Sequence, residues 1–178
     1  MAAVNCNYSG EPVYTKWYDN SSRGYLDITG VSYETTNGRY TISWSLKLGD
    51  NGNGRYNFAA AAAWIDGSEV NFTHGADNYS TYWFYNQWSN GSTVASGTFT
   101  TTKTSVSLSV KAMFDGGYTT ARWNNNQYCV SGSGTLSIVA PTIGSPSVSF
   151  STVSRDRTNI TASISASAGT NGGNVSVS

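Results

Sequence analysis

Aromatic rings and amide side chains occur together at two places in the sequence. In the denser run, residues 78–88, a strand would point Tyr82 and Phe84 to one side and Trp83 and Tyr85 to the other. Rings can cover the C–H faces of a pyranose while amides reach its hydroxyls, so this combination is typical of sugar recognition. The candidate carbohydrate-binding residues are Trp83, Tyr85, Asn86, Gln87 and Trp88 in this run, and Trp123, Asn125 and Tyr128 in the second. The alternative is that these rings are buried, some in a core and others in a subunit interface.

Few residues could support catalysis. His74 is the single histidine, and because no Gly-x-Ser-x-Gly motif of a nucleophile elbow is present, we expect it to be a loop residue. Of the ten acidic residues, only Asp66 and Glu69, across one predicted hairpin, are close enough in sequence to suggest a pair of catalytic carboxylates. We therefore assign no catalytic residue and no cofactor, and expect the protein not to be an enzyme.

Metal and disulfide chemistry are also weakly represented. The segment Asp50-Asn51-Gly52-Asn53-Gly54 offers oxygen donors but lacks the downstream glutamate of a calcium loop, so it is predicted to be a hairpin turn. Cys6 and Cys129 do not have zinc-site spacing. Two partly buried thiols are the favoured interpretation, and a single bridge between them is the alternative.

The composition excludes several classes of partner. Lysine and arginine total 10, aspartate and glutamate total 10, and the formal net charge is zero, which argues against binding to nucleic acid or to an anionic membrane surface. The longest apolar runs are too short for a transmembrane helix, and the first twenty residues do not have the pattern of a signal peptide. Ser, Thr, Asn and Gly make up 84 of the 178 residues, while 12 Tyr and 6 Trp supply apolar area, a combination that favours strands.

The strands that would position these side chains alternate between apolar and polar residues. Residues 40–48 and 105–113 show this period of two, and the alanine run 59–63 ends on the turn Asp66-Gly67, so it is predicted to be a strand packed under bulky groups. We expect an all-β protein with an antiparallel β-sandwich, jelly-roll or Ig-like, over residues 1–139. A Pro-containing linker, 140–146, and a partial Ig-like β segment, 147–178, are predicted to follow.

Several short motifs also occur in a recognisable order. They are Lys16-Trp17, the strand Thr41-Ile42-Ser43-Trp44-Ser45-Leu46, the hairpin Ile65-Asp66-Gly67-Ser68-Glu69-Val70, the segment Ser96-Gly97-Thr98-Phe99-Thr100, the serine-alternating strand Ser105-Val106-Ser107-Leu108-Ser109-Val110, and the exit Gly132-Ser133-Gly134-Thr135-Leu136-Ser137-Ile138 followed by Pro141-Thr142-Ile143. In this order, residues 30–150 resemble the minor structural proteins in the tails of siphophages that infect Gram-positive bacteria.

This resemblance implies a structural β protein of a phage virion, in the tail or baseplate, assembled in the host cytoplasm and taking part in host adsorption. Its expected partners are other virion structural proteins. Independently of the resemblance, the alternating segment after the linker is too short to fold alone and predicts contact with a neighbouring subunit in a homo-oligomer, and the aromatic and amide runs predict contact with cell-wall glycan. Two alternatives remain at this point, a carbohydrate-binding module of a cell-wall-active enzyme and a capsid decoration or fibre protein.

Overall fold

Antiparallel strands account for nearly all of the regular structure. The computed structural model describes residues 3–51, 58–75, 91–144, 147–155 and 160–167. Its elements are β1 (Ala3–Asn5), β2 (Tyr8–Ser9), β3 (Val13–Tyr14), β4 (Ser22–Glu34), β5 (Arg39–Asp50), β6 (Phe58–Ile65), β7 (Ser68–His74), β8 (Thr93–Thr101), β9 (Ser105–Phe114), α1 (Thr120–Asn124), β10 (Cys129–Ile138), β11 (Ser147–Arg155) and β12 (Ile160–Ser167). The prediction of an all-β fold is confirmed.

Two five-stranded sheets form the sandwich. The first sheet has the order β1-β4-β5-β8, with β3 also paired to β4, and the second has the order β2-β10-β9-β6-β7. Alternate side chains point inward from each sheet, so Leu26, Ile42 and Leu46 of the first sheet share one core with Ile65, Leu108 and Leu136 of the second. Each of these six residues is at most 1% exposed. Burial of this apolar area is the main force holding the two sheets together.

The N-terminal segment crosses between the edges of the two sheets. Cys6 N–H donates to the Val31 carbonyl of the first sheet at 2.9 Å, and Val139 N–H, directly after β10 of the second sheet, donates to the Asn7 carbonyl at 2.8 Å. The segment returns to the first sheet through β3, and Lys16 N–H then donates to the Ser131 carbonyl of β10 at 3.2 Å. The same short stretch therefore bonds to β4 and β10 in turn and covers the edges of both strands.

Glycines of β10 allow the N-terminal segment to approach this closely. A Cβ atom on Gly132 would lie 1.8 Å from the Tyr14 carbonyl oxygen, and one on Gly134 would lie 2.8 Å from a methyl group of Val13. Only glycine fits at position 132, because a Cβ atom there would overlap backbone atoms, which cannot move aside as a flexible side chain could.

The alanine-rich strand β6 is confirmed as a strand. It ends at a tight turn in which Asp66 and Gly67 have φ angles of 53° and 79°, the left-handed pair that a two-residue hairpin favours. Ala59 and Ala60 belong to the same buried cluster as the larger Tyr118, which agrees with the prediction of small residues packed under bulky groups.

Two features after β9 are not marked by the sequence motifs. The last strand of the sandwich, β10, begins at Cys129, three residues before the exit motif that starts at Gly132. Between β9 and β10 the chain forms the short helix α1, which was not predicted. Thr119 caps it by accepting a hydrogen bond from Arg122 N–H at 3.2 Å.

Beyond β10, the strands β11 and β12 pair with each other as a separate two-stranded sheet. Val148 and Ile164 are 45% and 47% exposed. The predicted linker 140–146 falls between β10 and β11, where residues 139–144 have no regular structure. The domain boundaries and the Ig-like character of this second part stay predictions.

Candidate functional site

The predicted carbohydrate-binding residues fall into two groups. Trp83, Tyr85, Asn86, Gln87 and Trp88 lie outside the described residues. Trp123, Asn125 and Tyr128 are described, and all three lie on or directly after α1, above the outer face of the second sheet.

Trp123 belongs to a packed aromatic cluster. Its ring centroid lies 5.1 Å from that of Phe72, which in turn makes an edge contact with Tyr118 at 5.7 Å. The ammonium group of Lys111 lies 4.2 Å from the centroid of the Trp123 ring and donates a hydrogen bond of 2.7 Å to the Trp123 carbonyl. With a ring and a cation already against the indole, this geometry favours the packing role that was left open as an alternative.

Asn125 and Tyr128 have different surroundings. Asn125 is exposed and caps the C-terminus of α1 through its backbone N–H, which donates to the Ala121 carbonyl at 3.0 Å. Tyr128 is half-buried, packs against the same cluster and has the Arg122 guanidinium 5.1 Å from its ring centroid. Asn125 is thus the more accessible of the two.

His74 does not lie in a loop as predicted, because it is the last residue of β7. Its ring stacks on Tyr118 with centroids 4.1 Å apart, and its Nδ1–H donates to the Gly75 carbonyl. The extension of β7 through His74 follows from its pairing with Ala60 of β6. The imidazole therefore contributes to the aromatic cluster.

The carboxylates considered for catalysis are engaged elsewhere or dispersed. Asp66 accepts two hydrogen bonds from Lys103 Nζ, at 2.9 and 2.8 Å, whereas Glu69 is exposed on β7. Within the described ranges, no three His, Cys, Asp or Glu side chains gather as a metal site would require. Of the predicted hairpin turn 50–54, only Asp50 and Asn51 lie within these ranges, and Asp50 is the last residue of β5.

Both cysteines are free thiols, which agrees with the favoured prediction. Cys6 is buried against β4, and Cys129 is half-buried at the start of β10. Burial raises the pKa of each thiol, and at Cys129 the nearby ammonium group of Lys111 opposes that rise.

A cleft of about 610 Å³ lies on the outer face of the second sheet. Its floor follows from the strand register, because Trp64 of β6, Ser109 of β9 and Ser133 of β10 lie side by side across three strands. In the neighbouring row, Lys111 of β9 lies beside Ser131 of β10. The floor is therefore formed by one indole, three serine hydroxyls and the Lys111 side chain.

The wall of the cleft is the N-terminal segment Tyr14-Thr15-Lys16. Buried Thr15 fixes it to the first sheet, since its hydroxyl accepts a hydrogen bond from Gly24 N–H at 3.1 Å. The Lys16 amide fixes it to β10. The wall is thus attached to both sheets and not to the second sheet alone.

The rim beside this wall carries exposed aromatic rings. The Arg23 guanidinium lies 3.7 Å from the centroid of Tyr14 and 4.3 Å from that of Trp17, so it is held between the two rings. Tyr14 and Trp17 are 40% and 38% exposed. Tyr14, a lining residue of the cleft, therefore shares its contact with Arg23 with the ring of Trp17.

Sequence reasoning did not select Trp64, Lys111 or Lys16 as site residues. The serine alternation of β9 predicted correctly that Ser105, Ser107 and Ser109 share a face. The available signal was that Lys111 interrupts this row of small hydroxyls with a charge, and that Trp64 ends a run of alanines.

The described part of the chain contains no helix long and apolar enough to cross a membrane. Comparisons of the chain with protein-family models, with curated proteins and with solved structures found no significant match.

Proposed function

We propose that this chain is a non-enzymatic structural protein of a phage virion, in the tail or baseplate, and that its β-sandwich contacts host-surface carbohydrate through the outer-face cleft. The observation that carries the carbohydrate contact is the cleft floor, where the Trp64 ring lies beside Ser109 and Ser133 in register. The virion assignment is supported by the ordered motifs described above.

The floor has the chemistry of a sugar site. A half-buried indole can cover the C–H face of a pyranose, while adjacent hydroxyls can both donate to and accept from its ring hydroxyls. These groups lie on paired strands of a sheet, so their spacing is fixed before a ligand arrives and little side-chain order has to be gained on binding. A volume of about 610 Å³ is in the range of small-molecule sites.

The strands after the sandwich support a role in assembly. Among the described residues, β11 and β12 form a sheet of two strands, and isolated two-stranded sheets are marginally stable in water. Val148 and Ile164 expose apolar surface on this sheet. A neighbouring subunit that adds a strand or covers this surface would stabilise it.

Substitutions on one strand test the carbohydrate contact. Ser109→Ala should weaken binding to host cell wall about five- to ten-fold through loss of a hydroxyl hydrogen bond. Ser107→Ala is the matched control, because Ser107 lies on the same strand and face but outside the cleft. Equal binding by wild type and both variants, or the absence of binding to any cell wall or glycan, would reject the contact.

Labelling of intact particles tests the virion assignment. A gold-labelled antibody against the chain should decorate the tail or baseplate of assembled phage. Label on the capsid would support a decoration or fibre protein instead. Monomeric chain that binds glycan but is absent from particles would favour a carbohydrate-binding module of a cell-wall-active enzyme.

A further inference from the structure

We infer that the outer-face cleft is selective for an anionic carbohydrate, that is, a sugar or polyol unit carrying a carboxylate or a phosphate. This inference rests on the proposed carbohydrate contact and names the class of ligand. Its basis is the distribution of lysine in the chain.

The chain has four lysines, Lys16, Lys47, Lys103 and Lys111, and all four are in the described ranges. Lys47 pairs with Asp27 at 2.6 Å, and Lys103 pairs with Asp66 at 2.8 Å. The other two both line the cleft. Two of the four lysines thus line one cavity of a chain with only 11% charged residues.

No carboxylate lines this cleft in the described part of the chain. The nearest acid along the Trp64 row is Glu69, which lies beyond Trp64 on β7, on the far side from Lys111. Positive charge inside the cleft is therefore not neutralised by its own lining. A ligand with one or more negative charges would supply that neutralisation.

Lys111 is held in place before any ligand binds. Its ammonium group donates to the Trp123 carbonyl and lies against the Trp123 ring, so one of its three N–H donors is committed and the side chain is half-buried. Lys16 is exposed, but its backbone is fixed to β10. An anion between them would meet one preorganised and one adaptable cation, with the serine hydroxyls beside it.

Binding assays with matched charged and neutral ligands test this inference. The ligands are an oligogalacturonate, its uncharged methyl ester, and a glycerol phosphate oligomer, measured by calorimetry at low and high salt with the full chain. The oligogalacturonate or the phosphate oligomer should bind about ten-fold more tightly than the ester, and this difference should shrink at high salt. Comparison of the two charged ligands distinguishes carboxylate from phosphate recognition.

Lys16→Gln and Lys111→Gln should each reduce binding of the charged ligand about five- to ten-fold and leave binding of the ester unchanged. Lys103→Gln removes the same charge outside the cleft and should have no effect. Because Lys111 also supports Trp123, the exposed Lys16 provides the decisive variant. Equal binding of acid and ester, or equal effects of Lys16→Gln and Lys103→Gln, would overturn the inference while the carbohydrate contact stands. Failure to bind any glycan would overturn both.

Discussion

Replacement of Gly132 by alanine should detach the cleft wall from the second sheet. A Cβ at this position would lie 1.8 Å from the Tyr14 carbonyl oxygen and 2.6 Å from its carbonyl carbon. The backbone of the wall would have to retreat by about 1.2 Å to reach even a very tight separation of 3.0 Å. Because the carbonyl oxygen and carbon of Tyr14 both belong to the backbone, no change of side-chain rotamer can relieve the overlap.

The cost can be worked out from the contacts that such a retreat would disturb. The Lys16–Ser131 hydrogen bond is already 3.2 Å long, and the wall is also tied to Gly24 by two hydrogen bonds with Thr15. Losing the first bond and straining the others should destabilise the protein by about 2–4 kcal/mol, at about 1 kcal/mol for each bond and more for a buried group left unpaired. For a chain of this size, that loss corresponds to a decrease in Tm of about 5–15 °C.

Urea denaturation followed by tryptophan fluorescence measures this loss. Gly30→Ala is the matched control, because Gly30 also lies in a strand and its added Cβ would meet nothing within 4 Å. The control should remain within about 0.5 kcal/mol of wild type. If Gly132→Ala were as stable as Gly30→Ala, the close approach of the N-terminal segment to β10 would be refuted, and with it the wall of the cleft.

Three further outcomes follow from the structure. Trp123→Ala should lower the free energy of unfolding, measured by urea denaturation, by about 2–3 kcal/mol, because it removes packing on Phe72. Asn125→Ala, at an exposed position, should lower it by less than about 0.5 kcal/mol. Equal small effects of the two substitutions would contradict the packing role of Trp123. The rate of Cys129 alkylation by iodoacetamide should still increase with pH above pH 9, because the raised pKa of the thiol shifts thiolate formation to higher pH. A rate that is already constant below pH 8.5 would contradict this. Residues 160–167 should exchange amide hydrogens rapidly in highly diluted protein, because β12 pairs only with β11 in the described sheets; strong protection would contradict dependence on a neighbour.

Local patterns predicted two of the long strands, β5 and β9, but did not predict β4, the longest strand described. The period of two in residues 40–48 and 105–113 corresponds to β5 and β9, and Asp66-Gly67 forms the predicted turn. These features can be predicted from the sequence because successive residues of a strand point to opposite faces of the sheet, so the face of each residue follows from the local alternation. The alternation also placed Ser105, Ser107 and Ser109 together on an outer face.

The cleft could not be predicted in the same way, because its parts are distant in sequence. Strands β2 and β3 have two residues each, too few to show a period, so the crossing of the N-terminal segment between the sheets left no readable pattern. Lys16 and Lys111 line the same cleft because Gly132 admits the wall against β10. Helix α1, with five residues, was similarly too short to recognise, and it places Trp123 against Phe72 in a packed cluster.

The most direct test of the account is to map where carbohydrate binds on the folded chain. Isotope-labelled protein would be titrated with soluble oligosaccharides released from a Gram-positive cell wall, and amide and indole signals followed by NMR. We predict that the shifts concentrate at the Trp64 indole and at the amides of Ser109, Lys111 and Ser131, which lie together in the cleft. Shifts confined to other surfaces, or no shifts at saturating oligosaccharide, would contradict the claim that this cleft is the binding site.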